Sequence, residues 1–190
     1  MKKLLSIALL LLLSNSLFAQ TKWTVDPAHT FLNFSVKHLG ISFVNGNFKK
    51  FDGSYTVSKA DLSDLKVAFT ADVNSINTGV DQRDGHLKTD DFFNAEKFPA
   101  IKFESTSIKK LKGNEYGLTG NLTIRDVTKV VSFKVVFGGV TKDPWGNNRS
   151  GFQATTTINR FDYNLKYDPT GMAVAKDVTL TLNLEFTQAK

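Results

Sequence analysis

The sequence predicts an all-β fold: an extended eight-stranded antiparallel barrel with one short helical excursion near residues 80–95. Three observations lead there. Apolar and polar residues alternate with period two through most of the chain after residue 20, one stretch alone breaks that period, and the dry runs are long. With 190 residues, 41% hydrophobic and 22% charged, the chain suits one foldable domain.

The elements follow in order. A short strand lies near Lys22 to Val25, and the next sets Leu32, Phe34 and Val36 against Asn33, Ser35 and Lys37. A long segment from about Ile41 to Val57 contains Gly46 and Gly53, read as bends or bulges. Leu65, Val67, Phe69, Ala71 and Val73 alternate next. Val80 to Phe98 loses the alternation, and Thr89 followed by Asp90 and Asp91 reads as a helix N-cap with acids in the first turn. Pro99 opens the strand of Ile101 and Phe103. Tyr116, Leu118, Leu122 and Ile124 follow, then Val131, Phe133, Val135 and Phe137, with a bend at Gly138-Gly139. Phe152, Ala154 and Ile158 mark one further strand. The last is the clearest: Val178, Leu180, Leu182, Leu184 and Phe186 alternate with Thr179, Thr181, Asn183, Glu185 and Thr187.

Strands dry on one face, with no helices to cover them, bury that face in a sandwich or a closed barrel. Four or five successive dry positions per strand favour the taller barrel over a sandwich of short strands. Such a barrel is filled by its side chains or holds one small ligand. An outer-membrane barrel fits the length but not the aromatic content, since lipid-facing girdles use Trp and Tyr and this chain has 2 Trp and 4 Tyr against 16 Phe.

Lys2 and Lys3, the apolar run Leu4–Leu13 and the small Ala19 form a secretory signal over residues 1–19, leaving residues 20–190 as the domain. The expected location is therefore periplasmic or secreted, without stable membrane insertion. No cysteine is present, which excludes disulfides, thiolate metal sites and a cysteine nucleophile. The net charge of +6, of which Lys2 and Lys3 supply two, is scattered, so no nucleic-acid partner is expected.

The polar residues capable of chemistry fall in four places: Asp26-Pro27-Ala28-His29, Arg83 to Leu87, Asn121 to Lys129, and Ile158 to Asp162. Three histidines without diagnostic spacing predict no metal, and their expected partners are Asp26 and Asp84. No G-x-S-x-G, G-x-G-x-x-G or P-loop occurs, so no cofactor is expected. Arg160 shares the parity of the dry residues Phe152, Ala154 and Ile158 and should point inward. A buried arginine needs a partner, and Asp84 or Asp162 is expected to pair with it at a barrel end. The alternative is a ligand head group.

At these four places the sequence resembles the YceI-like family, the polyisoprenoid-binding, lipocalin-like proteins. The stretches that carry it are W-T-V-D-P-A-H-T-F-L-N-F-S-V-K-H-L-G from Trp23, F-x-G-S-Y from Phe51, R-D-G-H-L-K-T-D-D-F-F-N from Arg83, F-P-A-I-K-F-E-S from Phe98, G-N-L-T-I-R-D-V-T-K from Gly120 and I-N-R-F-D from Ile158. The resemblance implies an exported carrier that holds a long isoprenoid, quinone-like or acyl lipid, with no settled catalytic activity. The residues expected to line its interior are Leu32, Phe34, Val36, Phe69, Phe103, Phe133, Val135, Leu180, Leu182 and Leu184. His29, Asp84, His86 and Arg160 are expected at the polar end. A homodimer is one expected state. Two departures stand out: Asp126 and Asn164 occupy positions where the family usually has Gly, and both residue types tolerate left-handed turns. Two rival readings are a lipid-modifying enzyme that uses Asp26-His29 or Arg83-Asp84-His86 as an acid–base pair, and an interaction or stress protein with a filled barrel.

Overall fold

A computed structural model describes residues 20–189; the expected signal segment lies outside the described residues. Eleven strands form one antiparallel sheet: β1 (Thr21–Val25), β2 (Phe31–His38), β3 (Ser42–Phe48), β4 (Phe51–Val57), β5 (Lys66–Asp72), β6 (Ile76–Asn77), β7 (Ala100–Lys110), β8 (Glu115–Ile124), β9 (Val127–Lys142), β10 (Asn148–Asn159) and β11 (Val174–Gln188). The helix α1 (Asp81–Leu87) stands between β6 and β7. The neighbour order is β1-β4-β5-β7-β8-β9-β10-β11, and β1 pairs again with β11, closing an eight-stranded ring. β2 extends the place of β1 along β11, β3 extends β4, and β6 extends β5. The eight expected strands are thus eight staves, three of them broken in two.

The turn Val73–Ser75 separates β5 from β6, and the other two breaks are fixed by side chains. Between β1 and β2 the chain steps out through Asp26-Pro27-Ala28-His29, and Thr30 splices it back: its hydroxyl donates to the Glu185 carbonyl at 3.2 Å and accepts from the Glu185 amide at 3.0 Å. Between β3 and β4 the amides of Lys49 and Lys50 turn to the Ser75 carbonyl and hydroxyl. Gly46 and Gly53 are not bulges. A Cβ on Gly46 would lie 2.3 Å from the Phe34 ring, and one on Gly53 would lie 2.2 Å from the Phe69 ring. Both glycines make room for a ring on the neighbouring strand. Register shifts fall elsewhere: at Gly138 in the β9–β10 pair, at Thr106 in the β7–β8 pair, and between Val174 and Val178 in the β11–β2 pair.

The helical excursion exists but starts earlier than its sequence suggests. α1 ends at Leu87, and Thr89 follows it, donating its hydroxyl to the His86 carbonyl. Asp90 and Asp91 serve turns rather than a first helical turn, Asp90 accepting from Asn94 at 2.6 Å.

An aromatic floor closes the end of the barrel where β1 meets β4 and β11. Trp23 stacks on Tyr55 at 5.6 Å, and the edges of Phe186 and Phe152 meet Tyr55 at 4.9 and 5.4 Å. The Tyr55 hydroxyl is satisfied by Ser150 at 2.7 Å, and burial pushes it well above the ordinary tyrosine range. Val135 belongs to this floor with Tyr116 and Leu118. A second cluster of Phe92, Leu122, Ile124, Ile158, Tyr163 and Leu165 sits at the opposite end. The outward face of β10 and β11 carries Gln153, Thr155, Thr181 and Asn183, the reverse of a lipid-facing wall. Parity is therefore decisive: Leu182→Asp should lower unfolding stability by several kcal/mol. Thr181→Asp should stay within about 0.5 kcal/mol of the parent. Urea unfolding of the two variants checks this.

Candidate ligand-binding cavity

Between the two clusters the side chains leave a cavity. The cavity measures about 210 Å³, whereas close-packed interiors leave few voids larger than one water molecule. It is lined by Phe34, Val36, Phe69, Phe103, Phe133, Leu180, Leu182 and Leu184, with Leu32 and Phe48 beside them. The inward residues of β11 show the void directly. Phe186, in the floor, is 2% exposed, whereas Leu180, Leu182 and Leu184 on the same face are only half-buried. From Val178 to Leu184 the lined stretch of β11 extends about 20 Å, the reach of six residues in a strand.

Nine of the ten residues expected to line the interior border this cavity; Val135 does not, because the floor takes it. The alternation did not show the contribution of the excursion. Leu87, Phe92 and Phe93 close the cavity from the α1 side, and Phe93 meets Phe48 edge-on at 6.0 Å. A polar excursion that carries two adjacent phenylalanines has to bury them, and that was the available signal.

Arg125 holds these rings in place. It donates to the carbonyls of Asp90, Phe92 and Asn164 at 2.7–3.1 Å and to the Asp90 carboxylate at 2.7 Å. Asp126 and Asn164, the two unusual turn residues, bond to each other: the Asn164 amide donates to the Asp126 carboxylate at 3.1 Å. Asn164 adopts the left-handed conformation at φ 60°, and in the β8–β9 turn it is Arg125, at φ 55°, that does so instead of Asp126.

The expected polar end is not assembled. His29 lies outside the wall between β1 and β2, its Nδ1 3.0 Å from Asp26. It belongs to a charge cluster around Arg149, which donates to Asp26, to Glu185 at 3.2 Å and to Asp143 at 3.0 Å. The Asp26 hydrogen bond raises His29 above the ordinary histidine value, with Glu185 adding to it. At Asp143, burial pushes upward, but hydrogen bonds from Asn147, Arg149 and the Trp145 amide win and hold the carboxyl down at about 2. Ligand atoms of Asp26, His29 and Glu185 converge as a metal site would require, yet the Arg149 guanidinium already supplies the cation there.

Asp84 and His86 do not border the cavity either. Asp84 is buried and accepts from the amide and hydroxyl of Thr78 at 2.8 and 2.5 Å, while Arg83 donates to the same residue. His86 pairs with Asp91 at 2.8 Å, not with Asp84, and packs edge-on against Phe92 and Tyr167. These residues anchor the excursion.

Arg160 does point inward and borders the cavity, but neither Asp84 nor Asp162 pairs with it. Its Nε donates to the Ala175 carbonyl, one terminal nitrogen to those of Leu165 and Tyr167, and the other to those of Asp168 and Val174, at 2.6–3.1 Å. A guanidinium has five N–H donors, so none is left for a ligand. Burial pulls its pKa below the usual arginine value, and Asp168 partly offsets this. The spacing in sequence suggested a carboxylate partner, but the loop of residues 164–173 folds over the side chain and supplies carbonyls instead.

The comparisons agree with this architecture. The YceI-like domain matches residues 23–186. The chain belongs to the YceI-like family. It is 40% identical over 183 residues to Protein YceI of Salmonella arizonae, covering 96% of this chain and 94% of that one. Burkholderia cenocepacia BcnA has the same fold, with a TM-score of 0.76 and 25% identity over 85% of this chain and 98% of the other. A Saccharophagus degradans domain described as a polyisoprenoid binding domain implicated in plant cell wall breakdown superposes with a TM-score of 0.69 at 17% identity, over 88% and 98% of the two chains.

Removing Arg160 would strand five carbonyls. Arg160→Ala should therefore cost about 3 kcal/mol or more, while binding of headed and plain-hydrocarbon lipids falls equally. Arg160→Lys, with three donors, should recover part of that loss. Chemical unfolding and lipid titration of both variants check it.

Proposed function

We propose that this protein is an exported carrier that buries a long apolar chain, isoprenoid or acyl, without covalent chemistry. The observation that carries the reading is an apolar cavity that the side chains do not fill: among the residues bordering it only Asn33 and Arg160 are polar, and the donors of Arg160 are taken. Each methylene moved from water into such a space contributes about 0.8 kcal/mol, so tail length sets affinity. The head group stays at the mouth and takes little part. The Saccharophagus degradans domain supports only the fold at its level of identity, so the ligand class rests on the cavity itself.

The enzyme reading has less support. Asp26 and His29 do pair, but outside the wall, and Asp84 and His86 each hold a different partner. The filled-barrel reading conflicts with the half-buried Leu180, Leu182 and Leu184.

The test begins with full-length protein expressed in a Gram-negative host. It should be cleaved near Ala19 and recovered in the soluble exported fraction. Solvent extraction and mass spectrometry should then find close to one prenyl or acyl lipid per chain. Protein that is uncleaved, or that emerges without lipid and does not take one up, contradicts the reading.

A further inference from the structure

Three glycines sit in strand interiors where their own backbone does not call for glycine. Gly46 in β3, Gly53 in β4 and Gly120 in β8 have no positive φ. A glycine inside a strand weakens it, because it has no side chain to pack. What requires these three is space. A Cβ on Gly46, Gly53 or Gly120 would lie less than 3.0 Å from ring atoms of Phe34, Phe69 or Phe103 respectively, closer than real Cβ atoms approach. Gly117 and Gly151 are also in strands without positive φ, yet a Cβ there would meet nothing within 4 Å. Crowding is therefore not a general property of glycines in this sheet.

The three rings share a second property: Phe34, Phe69 and Phe103 all border the cavity. The strand register explains how. Phe34 stands opposite Gly46 across β2–β3, and Phe69 opposite Gly53 across β4–β5. Phe103 stands opposite Leu122 and reaches diagonally to Gly120 on the same face of β8. Each ring lies back over bare backbone of the neighbouring strand instead of standing up from the wall.

The rings have little room to move except inward. Ordinary van der Waals contact lies at 3.4–4 Å, so a Cβ at Gly53 would force the Phe69 ring to retreat. Phe51 stacks beside that ring at 5.9 Å, and Phe103 is its register partner on β7. Phe103 in turn meets Phe133 edge-on at 5.2 Å. The open side is the cavity. The other two glycines have a further neighbour: a Cβ at Gly46 would also meet the Thr78 methyl at 2.9 Å, and one at Gly120 the Glu104 carbonyl. At Gly53 the three nearest atoms all belong to the Phe69 ring, so ring placement alone is at stake there.

We propose that Gly46, Gly53 and Gly120 set the bore of the cavity. By recessing the rings of Phe34, Phe69 and Phe103 they leave the width that a methyl-branched chain needs, and so make the cavity selective for chain thickness. The inference rests on the carrier reading and names the residues that decide which chains fit. A ring pushed inward overlaps first with the branches of a bound chain, whereas a straight chain can pass beside it.

The test is calorimetric titration of delipidated parent, Gly53→Ala, and Gly53→Ala combined with Phe69→Ala. The two probes are hexadecanol and phytanol, its methyl-branched analogue with the same backbone length and hydroxyl head. The parent should bind both. Gly53→Ala should lose about tenfold in affinity for phytanol and change by less than about threefold for hexadecanol. Removing the displaced ring in the double variant should return phytanol binding to within about threefold of the parent. Gly53→Ala should still unfold cooperatively, because its φ is not positive and the ring can move into the cavity. Equal loss for both alcohols, loss for neither, or a double variant that stays defective overturns the proposal. So does a Gly53→Ala chain that does not fold, since the ring would then have no free side. A parent that binds neither alcohol refutes the carrier reading and the proposal with it. A parent that binds both, with Gly53→Ala unable to tell them apart, refutes the bore alone.

Discussion

A hollow apolar interior has to be held open, and everything else in this barrel follows from that constraint. Side chains that could collapse inward gain free energy by doing so, because a void forfeits dispersion contacts on every wall. Rigid ends prevent it here. At one end Tyr55 lies at the centre of a ring cluster with Trp23, Phe152 and Phe186 and has its hydroxyl satisfied by Ser150. At the other, two arginines act as multi-armed staples: Arg125 fixes the excursion, and Arg160 fixes the loop before β11. The closed hydrogen-bonded ring between them fixes the diameter.

This division of labour explains which residues border the cavity. Val135 and Leu182 both lie on inward faces of their strands, yet one is floor and the other is wall. What separates them is the packing around each, Val135 buried among the rings of its cluster and Leu182 facing the cavity, which alternation does not encode. The strands, their parity and the inward direction of Arg160 were legible because a period-two pattern reports the face of a residue. The breaks in three staves were not, since they depend on side chains such as Thr30 and Ser75 meeting backbone far away in sequence. Gly46 and Gly53 misled for the same reason: a ring on the adjacent strand, rather than a bend in their own, requires them.

The polar blocks of the sequence turn out to be joinery. Asp26-Pro27-Ala28-His29 forms the step between β1 and β2, Arg83 and Asp84 fasten Thr78, and Arg160 gathers five carbonyls. Their expected gathering around a head group fails because each side chain is already held by a local partner. Asp126 and Asn164 show the same logic, as two turn residues that satisfy each other. What remains is an apolar space, which on the carrier reading would discriminate by length and shape and be nearly indifferent to the head.

The most direct measurement is calorimetric titration of delipidated protein with two ligands that share one prenyl tail, one ending in a charged head and the other a plain hydrocarbon. The account predicts that their affinities differ by less than about tenfold, under about 1.4 kcal/mol, and that both strengthen as the tail lengthens. A headed ligand that binds orders of magnitude more tightly, or affinity that does not respond to tail length, would contradict it.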